Sequence, residues 1–134
     1  MQYMLDTNVC IELIRGRAPA VFERLRHFAP DSVAISSITL AELQYGAAKS
    51  SDPAKHMGLL ARFVAPLAIL PFDAQAAETY GRVRAALAHA GTPIGPMDTL
   101  IASHALSLDL TIVTNNQREF RRVPDLHVEH WPMK

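Results

Sequence analysis

Short apolar runs separated by stretches of helical spacing constrain this chain more than any other feature. The runs fall at 2–5, 33–35, 67–72 and 111–114, and turn signals before a final stretch around 127–130 predict one more strand. Each is too uniformly apolar for a strand with one wet face, so each reads as a strand covered on both sides. Parallel neighbours need a crossover between them, usually a helix, and helical segments lie between these runs. The expected architecture is therefore α/β: a short, mostly parallel sheet of four or five strands with helices on both faces. A chain of 134 residues has room for one such core, and the reading is a single domain over 1–134.

The helices announce themselves by spacing and punctuation. Val9, Ile11, Leu13 and Ile14 precede Gly16 and predict a helix that Thr7 can cap. A second is expected over 20–28, between Pro19 and Pro30. Segment 38–48 is apolar at 38, 40, 41, 43, 47 and 48, which predicts a helix carrying one inward-facing acid, Glu42, after a cap at Ser36 or Ser37. Pro53 opens another helix running to about residue 64. Asp73 caps an Ala-rich segment, 74–90, that stops at Gly91. A helix beginning near Met97 has Asp98 in its first turn, and a short helical piece ends near Phe120.

Composition excludes little. Thirteen basic and thirteen acidic residues cancel, so there is no basic surplus of the kind that dominates phosphate binding, although a local patch can still hold RNA. Cys10 stands alone and cannot form an internal disulfide. No apolar run approaches the ~18 residues that cross a bilayer, and the chain opens directly on an apolar strand. A cytoplasmic protein without a membrane role is expected.

In parallel sheets, functional groups gather beyond the carboxyl ends of the strands. Asp6 ends the first strand, Glu42 lies on the helix after the second, Asp98 begins the helix before the fourth, and Asn116 follows that fourth strand. All four can converge on one rim. Carboxylates brought together repel and raise one another's pKa unless a cation neutralises them. With no Cys cluster and no paired His spacing, the donors are hard oxygens, which suit magnesium or manganese. Magnesium retains several waters and leaves positions for phosphate oxygens, which implies phosphodiester hydrolysis.

Plainer roles exist for the same residues. Asp6 can be a helix cap, Glu42 an exposed acid on an amphipathic helix, and Asp98 a partner of the helix dipole. Thr7 and Thr114 can bond a carboxylate or a phosphate, or merely support a cap and a turn. Either Arg15 with Arg17 or Arg82 with Arg84 can hold RNA phosphate, or face solvent. Tyr45 can stack on a base, and the histidines at 27, 56, 89, 104, 127 and 130 show no ligand spacing.

Four blocks decide among these readings: Tyr-Met-Leu-Asp-Thr-Asn at 3–8, Ser-Ser-Ile-Thr-Leu-Ala-Glu-Leu-Gln-Tyr-Gly at 36–46, Gly-Thr-Pro-Ile-Gly-Pro-Met-Asp-Thr-Leu-Ile-Ala at 91–102, and Val-Thr-Asn-Asn-Gln-Arg-Glu-Phe at 113–120. In this order they resemble the PIN-domain ribonucleases and, within them, the VapC toxins of bacterial toxin–antitoxin pairs. The resemblance implies that Asp6, Glu42 and Asp98 bind Mg2+, or Mn2+. Many relatives carry a fourth acid after the fourth strand; Asn116 matches that place here, and Asn115 or Glu119 can complete the site instead. The resemblance also implies an RNA substrate, often structured RNA such as tRNA. It further implies a VapB-like antitoxin that blocks the site, and a homodimer that assembles further with it, with 38–47 and 57–67 as candidate surfaces.

Two other classes fit less well. Aspartyl-phosphate phosphatases want a second Asp two residues after the first, where Asn8 stands, and receiver domains want adjacent acids and a late Lys. A binding module that kept the fold and lost turnover has to explain why three acids remain.

Overall fold

The computed structural model describes residues 1–134. Its strands are β1 (Tyr3–Leu5), β2 (Val33–Ser36), β3 (Ala68–Leu70), β4 (Thr111–Val113) and β5 (Val128–Glu129). They form one sheet in the order β3-β2-β1-β4-β5, and every pairing is parallel. The chain builds outward from β1 on one side, then returns past it and builds outward on the other. Strand order therefore reverses beside β1, and the crevice beyond the ends of β1 and β4 is the switch point at which such sheets place ligands.

Alternation along the strands divides the interior in two. Tyr3, Leu5, Val33, Ile35 and Val113 share one core with α1 (Thr7–Ile14), α2 (Pro19–Leu25), α3 (Ser37–Ala48) and α4 (Pro53–Val64). Met4, Ala34 and Ile112 point the other way, into a core built by α5 (Ala74–Ala90), α6 (Pro96–Ser107) and α7 (Gln117–Phe120). Helices thus cover both faces, as the uniformly apolar strands require.

Several boundaries differ from the sequence expectation, each for a local reason. Thr7 does not cap α1; Asp6 does, its Oδ1 accepting the Val9 N–H at 2.9 Å. The helix expected over 20–28 ends at Leu25, and residues 26–28 continue in tighter turns, with Phe28 N–H bonded to the Leu25 carbonyl at 3.0 Å. β3 covers only part of the 67–72 run because Pro71 has no N–H to continue a ladder. The Ala-rich helix is as read: Asp73 caps it, and Gly91 ends it at φ +70°, a left-handed conformation that costs a residue with a Cβ.

The C-terminal segment closes the first core. Trp131 is buried, stacks 6.1 Å from Phe28, meets the edge of Tyr3 at 5.0 Å, and carries the Arg24 guanidinium 4.0 Å above its ring. The Ala20 N–H donates to the Met133 carbonyl at 3.1 Å, so the tail straps α2 onto the sheet. Trp131→Ala is expected to destabilise the chain by about 3–5 kcal/mol, whereas Phe22→Ser, at a side chain 59% exposed, is expected to cost under about 0.5 kcal/mol. Urea unfolding followed by circular dichroism measures both.

Candidate active site

Asp6 leaves β1 at the switch point and is 2% exposed. Its Oδ1 accepts the Val9 N–H at the start of α1, and its Oδ2 accepts the hydroxyl of Thr114, the residue just past β4. Thr114 Oγ1 in turn accepts the Asn116 N–H at 2.8 Å. One side chain thereby fixes the carboxylate and the loop after β4 together. Burial pushes the Asp6 carboxyl above its ordinary range, the bonds from Thr114 and Val9 oppose that, and the charge of Glu42 adds to it.

Glu42 sits on α3, half-buried, and receives the Thr7 hydroxyl on Oε1 at 2.6 Å. The expectation of an inward-facing acid in a largely buried stretch is corrected here: α3 buries Thr39, Leu43 and Ala47 but exposes Ala41 and Tyr45. Glu42 is therefore on the rim rather than in the core, within reach of a ligand. Thr7, one residue past the α1 cap, spends its hydroxyl on this acid and lies 3.2 Å from the buried Thr39 hydroxyl.

Asp98 lies in the first turn of α6 behind Gly95 and Pro96. Partial burial pushes its carboxyl up to about 6, with the charges of Asp6, Glu119 and Glu42 adding in that order. The structure therefore brings Asp6, Glu42 and Asp98 into one electrostatic neighbourhood and includes Glu119 of α7 in it. Asn116 stands at the α7 N-cap, where its side chain makes no capping bond. Asn115 is exposed. Of the three alternatives for the last position, only Glu119 carries a charge that reaches Asp98.

None of these four acids forms an ion pair; the salt bridges all lie elsewhere. An oxygen-only donor set with uncompensated negative charge fits a hard divalent cation. No three His, Cys, Asp or Glu side chains close around a common point.

A groove of about 1290 Å³ opens from this rim between α1, α3 and α4, with Thr7, Glu42 and Asp98 at its acidic part and Ile11, Ile14 and Leu59 on its apolar walls. Arg15, Lys49 and Lys55 line it as well. Of the arginine pairs weighed from sequence, Arg17 is bonded to Glu12 at 3.3 Å, Arg82 and Arg84 bond residues of their own helix, and Arg15 alone faces the groove. Sequence reasoning missed Lys49 and Lys55. Their only signal was a position flanking the apolar faces of α3 and α4.

The charge arrangement fixes a pH dependence. Because folding raises the Asp98 carboxyl from 3.8 to about 6, its ionisation lowers stability as pH rises through that window and leaves a constant penalty above it. In chelator, Asp98→Asn is expected to melt higher than the parent chain at pH 8, the gap narrowing as pH falls from 6 toward 4. Adding a divalent cation is expected to raise the melting temperature of the parent and not of the variant. Differential scanning calorimetry reads both effects.

Known proteins share this arrangement of chain. Residues 3–126 match the PIN domain family. The chain is 45% identical over 131 residues to the tRNA(fMet)-specific endonuclease VapC of Salmonella typhimurium and 43% identical over 132 residues to ribonuclease VapC2 of Rickettsia felis, covering 98% of both chains in each case. Among solved structures it superposes with a TM-score of 0.93 on the chain from the DNA-bound VapBC of S. typhimurium, at 45% identity and 98% coverage of each chain. With VapBC2 of R. felis bound to a promoter DNA fragment, the TM-score is 0.92 at 42% identity, covering 98% of this chain and 99% of that one. No helix is long and apolar enough to cross a membrane. A five-stranded parallel sheet, acids gathered at its switch point and full-length identity above 40% lead to one conclusion: the chain belongs to the PIN-domain family and, within it, to the VapC ribonucleases.

Proposed function

We propose that this chain is the toxin of a VapBC-type pair and hydrolyses RNA phosphodiester bonds with Mg2+ held by Asp6, Glu42 and Asp98. The observation that carries the proposal is the gathering of three carboxylates, none of them ion-paired, at the β1–β4 switch point. PIN-domain nucleases generally use divalent metal ions, and a donor set made only of carboxylate oxygens suits a hard cation such as magnesium. Two cores sharing one sheet support reading 1–134 as one domain.

The roles follow from the bonds each residue makes. Asp6 is immobilised by Thr114 and the Val9 amide, so it is the fixed ligand. Thr7 orients Glu42, leaving its second oxygen free to hold the ion or one of its waters. Asp98 completes the set, and Glu119 takes the place of the fourth acid for which Asn116 is neutral. An ion held by Asp6, Glu42 and Asp98 would supply polarisation of the phosphate and a lowered pKa for a neighbouring water. Attack by the water oxygen on phosphorus would break the P–O3′ bond, with one water proton ending on the leaving O3′, and leave a 5′-phosphate and a 3′-hydroxyl. Relatives at 45% and 46% identity are named for tRNA(fMet), so initiator tRNA is the first substrate to try among structured RNAs.

The apolar groove beside the acids fits a partner that covers them, and the related structures are toxin–antitoxin complexes. We assign that role to a VapB-like antitoxin, acting on a toxin homodimer that assembles further with it. Exposed Tyr45 and Met97 leave apolar surface for such contacts.

Purified chain freed of antitoxin is expected to cut initiator tRNA with Mg2+ and to stop in chelator, with end-labelling showing 5′-phosphate. Asp6→Ala and Asp98→Asn are each expected to lose at least about a hundredfold in rate, more than outer partners of a metal site cost. Glu119→Gln should cost more than Asn116→Ala. A 2′,3′-cyclic phosphate, or equal cleavage in chelator, overturns the reading. Separately, Leu59→Arg places a charge on the groove wall and is expected to abolish co-purification with the antitoxin while RNA cleavage persists.

A further inference from the structure

We infer that His104 is a positioning residue: through Ser36 it fixes the helix that carries Glu42 against the helix that carries Asp98. His104 lies on α6, six residues beyond Asp98, and is 1% exposed. Its Nδ1 is 2.8 Å from Ser36 Oγ. Ser36 is the last residue of β2 and the N-cap of α3, its Oγ accepting the Ile38 N–H at 3.0 Å. The hydroxyl that starts the Glu42 helix is therefore anchored to the Asp98 helix.

The ring is held from other sides too. Phe72 packs edge-on against it with centroids 5.3 Å apart, and the Phe72 N–H donates to Ser37 Oγ at 3.0 Å, so the end of β3 is tied to the same turn. Ser36 Oγ already accepts the Ile38 N–H, so its own proton is free to go to Nδ1, which makes Nδ1 the acceptor and puts the ring proton on Nε2. Burial lowers the imidazole pKa, while the nearby charge of Asp73 opposes this, so the ring is neutral near pH 7 as this tautomer requires.

The consequence concerns spacing between acids. Ser36 caps the helix that carries Glu42, and His104 shares α6 with Asp98, so a bond joining Ser36 to His104 sets where the two acids stand relative to each other. Asp6 needs no such help, being fixed by Thr114 and Val9. Sequence placed His104 among scattered histidines without a role. Its work depends on a partner 68 positions away, which no local pattern reveals.

The inference rests on the ribonuclease reading for its meaning, and its test does not depend on RNA cleavage. Binding of Mn2+ alone to the full chain is measured by titration calorimetry, exchange of the Ile38 amide by NMR, and Mn2+-dependent RNA cleavage in parallel. His104→Leu and Ser36→Ala are each expected to weaken Mn2+ binding about fivefold to tenfold, as loss of a supporting bond does. The Ile38 amide of His104→Leu is expected to exchange faster. His104→Asn keeps an acceptor near the Nδ1 position and should stay within about twofold of the parent. The double variant should bind no more weakly than Ser36→Ala alone, because that change already removes the His104 bond along with the cap on the Ile38 N–H.

Unchanged Mn2+ affinity in His104→Leu beside a lowered melting temperature overturns the inference, and so do additive losses in the double variant. If His104→Leu does not fold, Ser36→Ala and His104→Asn decide: a weakened serine variant beside a near-normal asparagine variant supports it, and an unaffected serine variant ends it. Should the expected binding pattern appear with no RNA cleaved by the parent chain, the ribonuclease reading falls and the positioning role stands. Active parent chain with a flat binding series gives the reverse.

Discussion

A carboxylate buried at the end of a central strand has to be held by hydrogen bonds or neutralised, and Asp6 is held from two sides at once. One oxygen takes an amide of the helix that follows β1, and the other takes the hydroxyl that follows β4. The first is local to the start of α1, and the second exists only because β1 and β4 are parallel neighbours in register, with Leu5 opposite Val113. The sheet order and the placement of the acid are thus one constraint. A slip of one residue in β4 would turn Thr114 to the other side and leave Asp6 buried without it.

From that anchor outward, both further acids are less buried than Asp6 and held by fewer bonds. Glu42 has one hydroxyl partner and half exposure. Asp98 makes no side-chain ion pair and is lifted to about 6 mainly by its surroundings. Such a gradient suits a site with one fixed ligand and others that adjust as an ion and a phosphate enter. The repulsion among them is stored in the folded chain without its ion, which places ion binding and folding stability on the same groups.

Much of this was legible in the residues themselves. Uniformly apolar runs gave burial of β1, β2 and β4, while the edge strands β3 and β5 are only partly covered, and the Asp73 and Gly91 signals bracketed α5 without error. The rim was legible because chain order puts Asp6, Glu42 and Asp98 at strand ends or on the helices between them. What was not legible came from partners far apart in sequence. Thr7 looks like a cap until Glu42, 35 positions on, claims its hydroxyl. The strand order is a choice among parallel arrangements that runs such as Met4 and Ile112 fit equally well. The facing of Glu42 was misread because α3 is apolar on more than one side, so spacing could not say which side is inward. Asn116, Asn115 and Glu119 were all legible as candidates for the last position, and spacing could not show that Glu119 is the one whose charge reaches Asp98.

The most direct test of the account is a crystal of the full chain grown with Mn2+ and measured at the manganese edge for anomalous scattering. The account places an anomalous peak at the β1–β4 switch point, bonded by carboxylate oxygens of Asp6 and Asp98, with Glu42 reaching it directly or through water. An ion bound away from these residues, or Asp6 and Asp98 found pointing to opposite sides of the molecule, would contradict it.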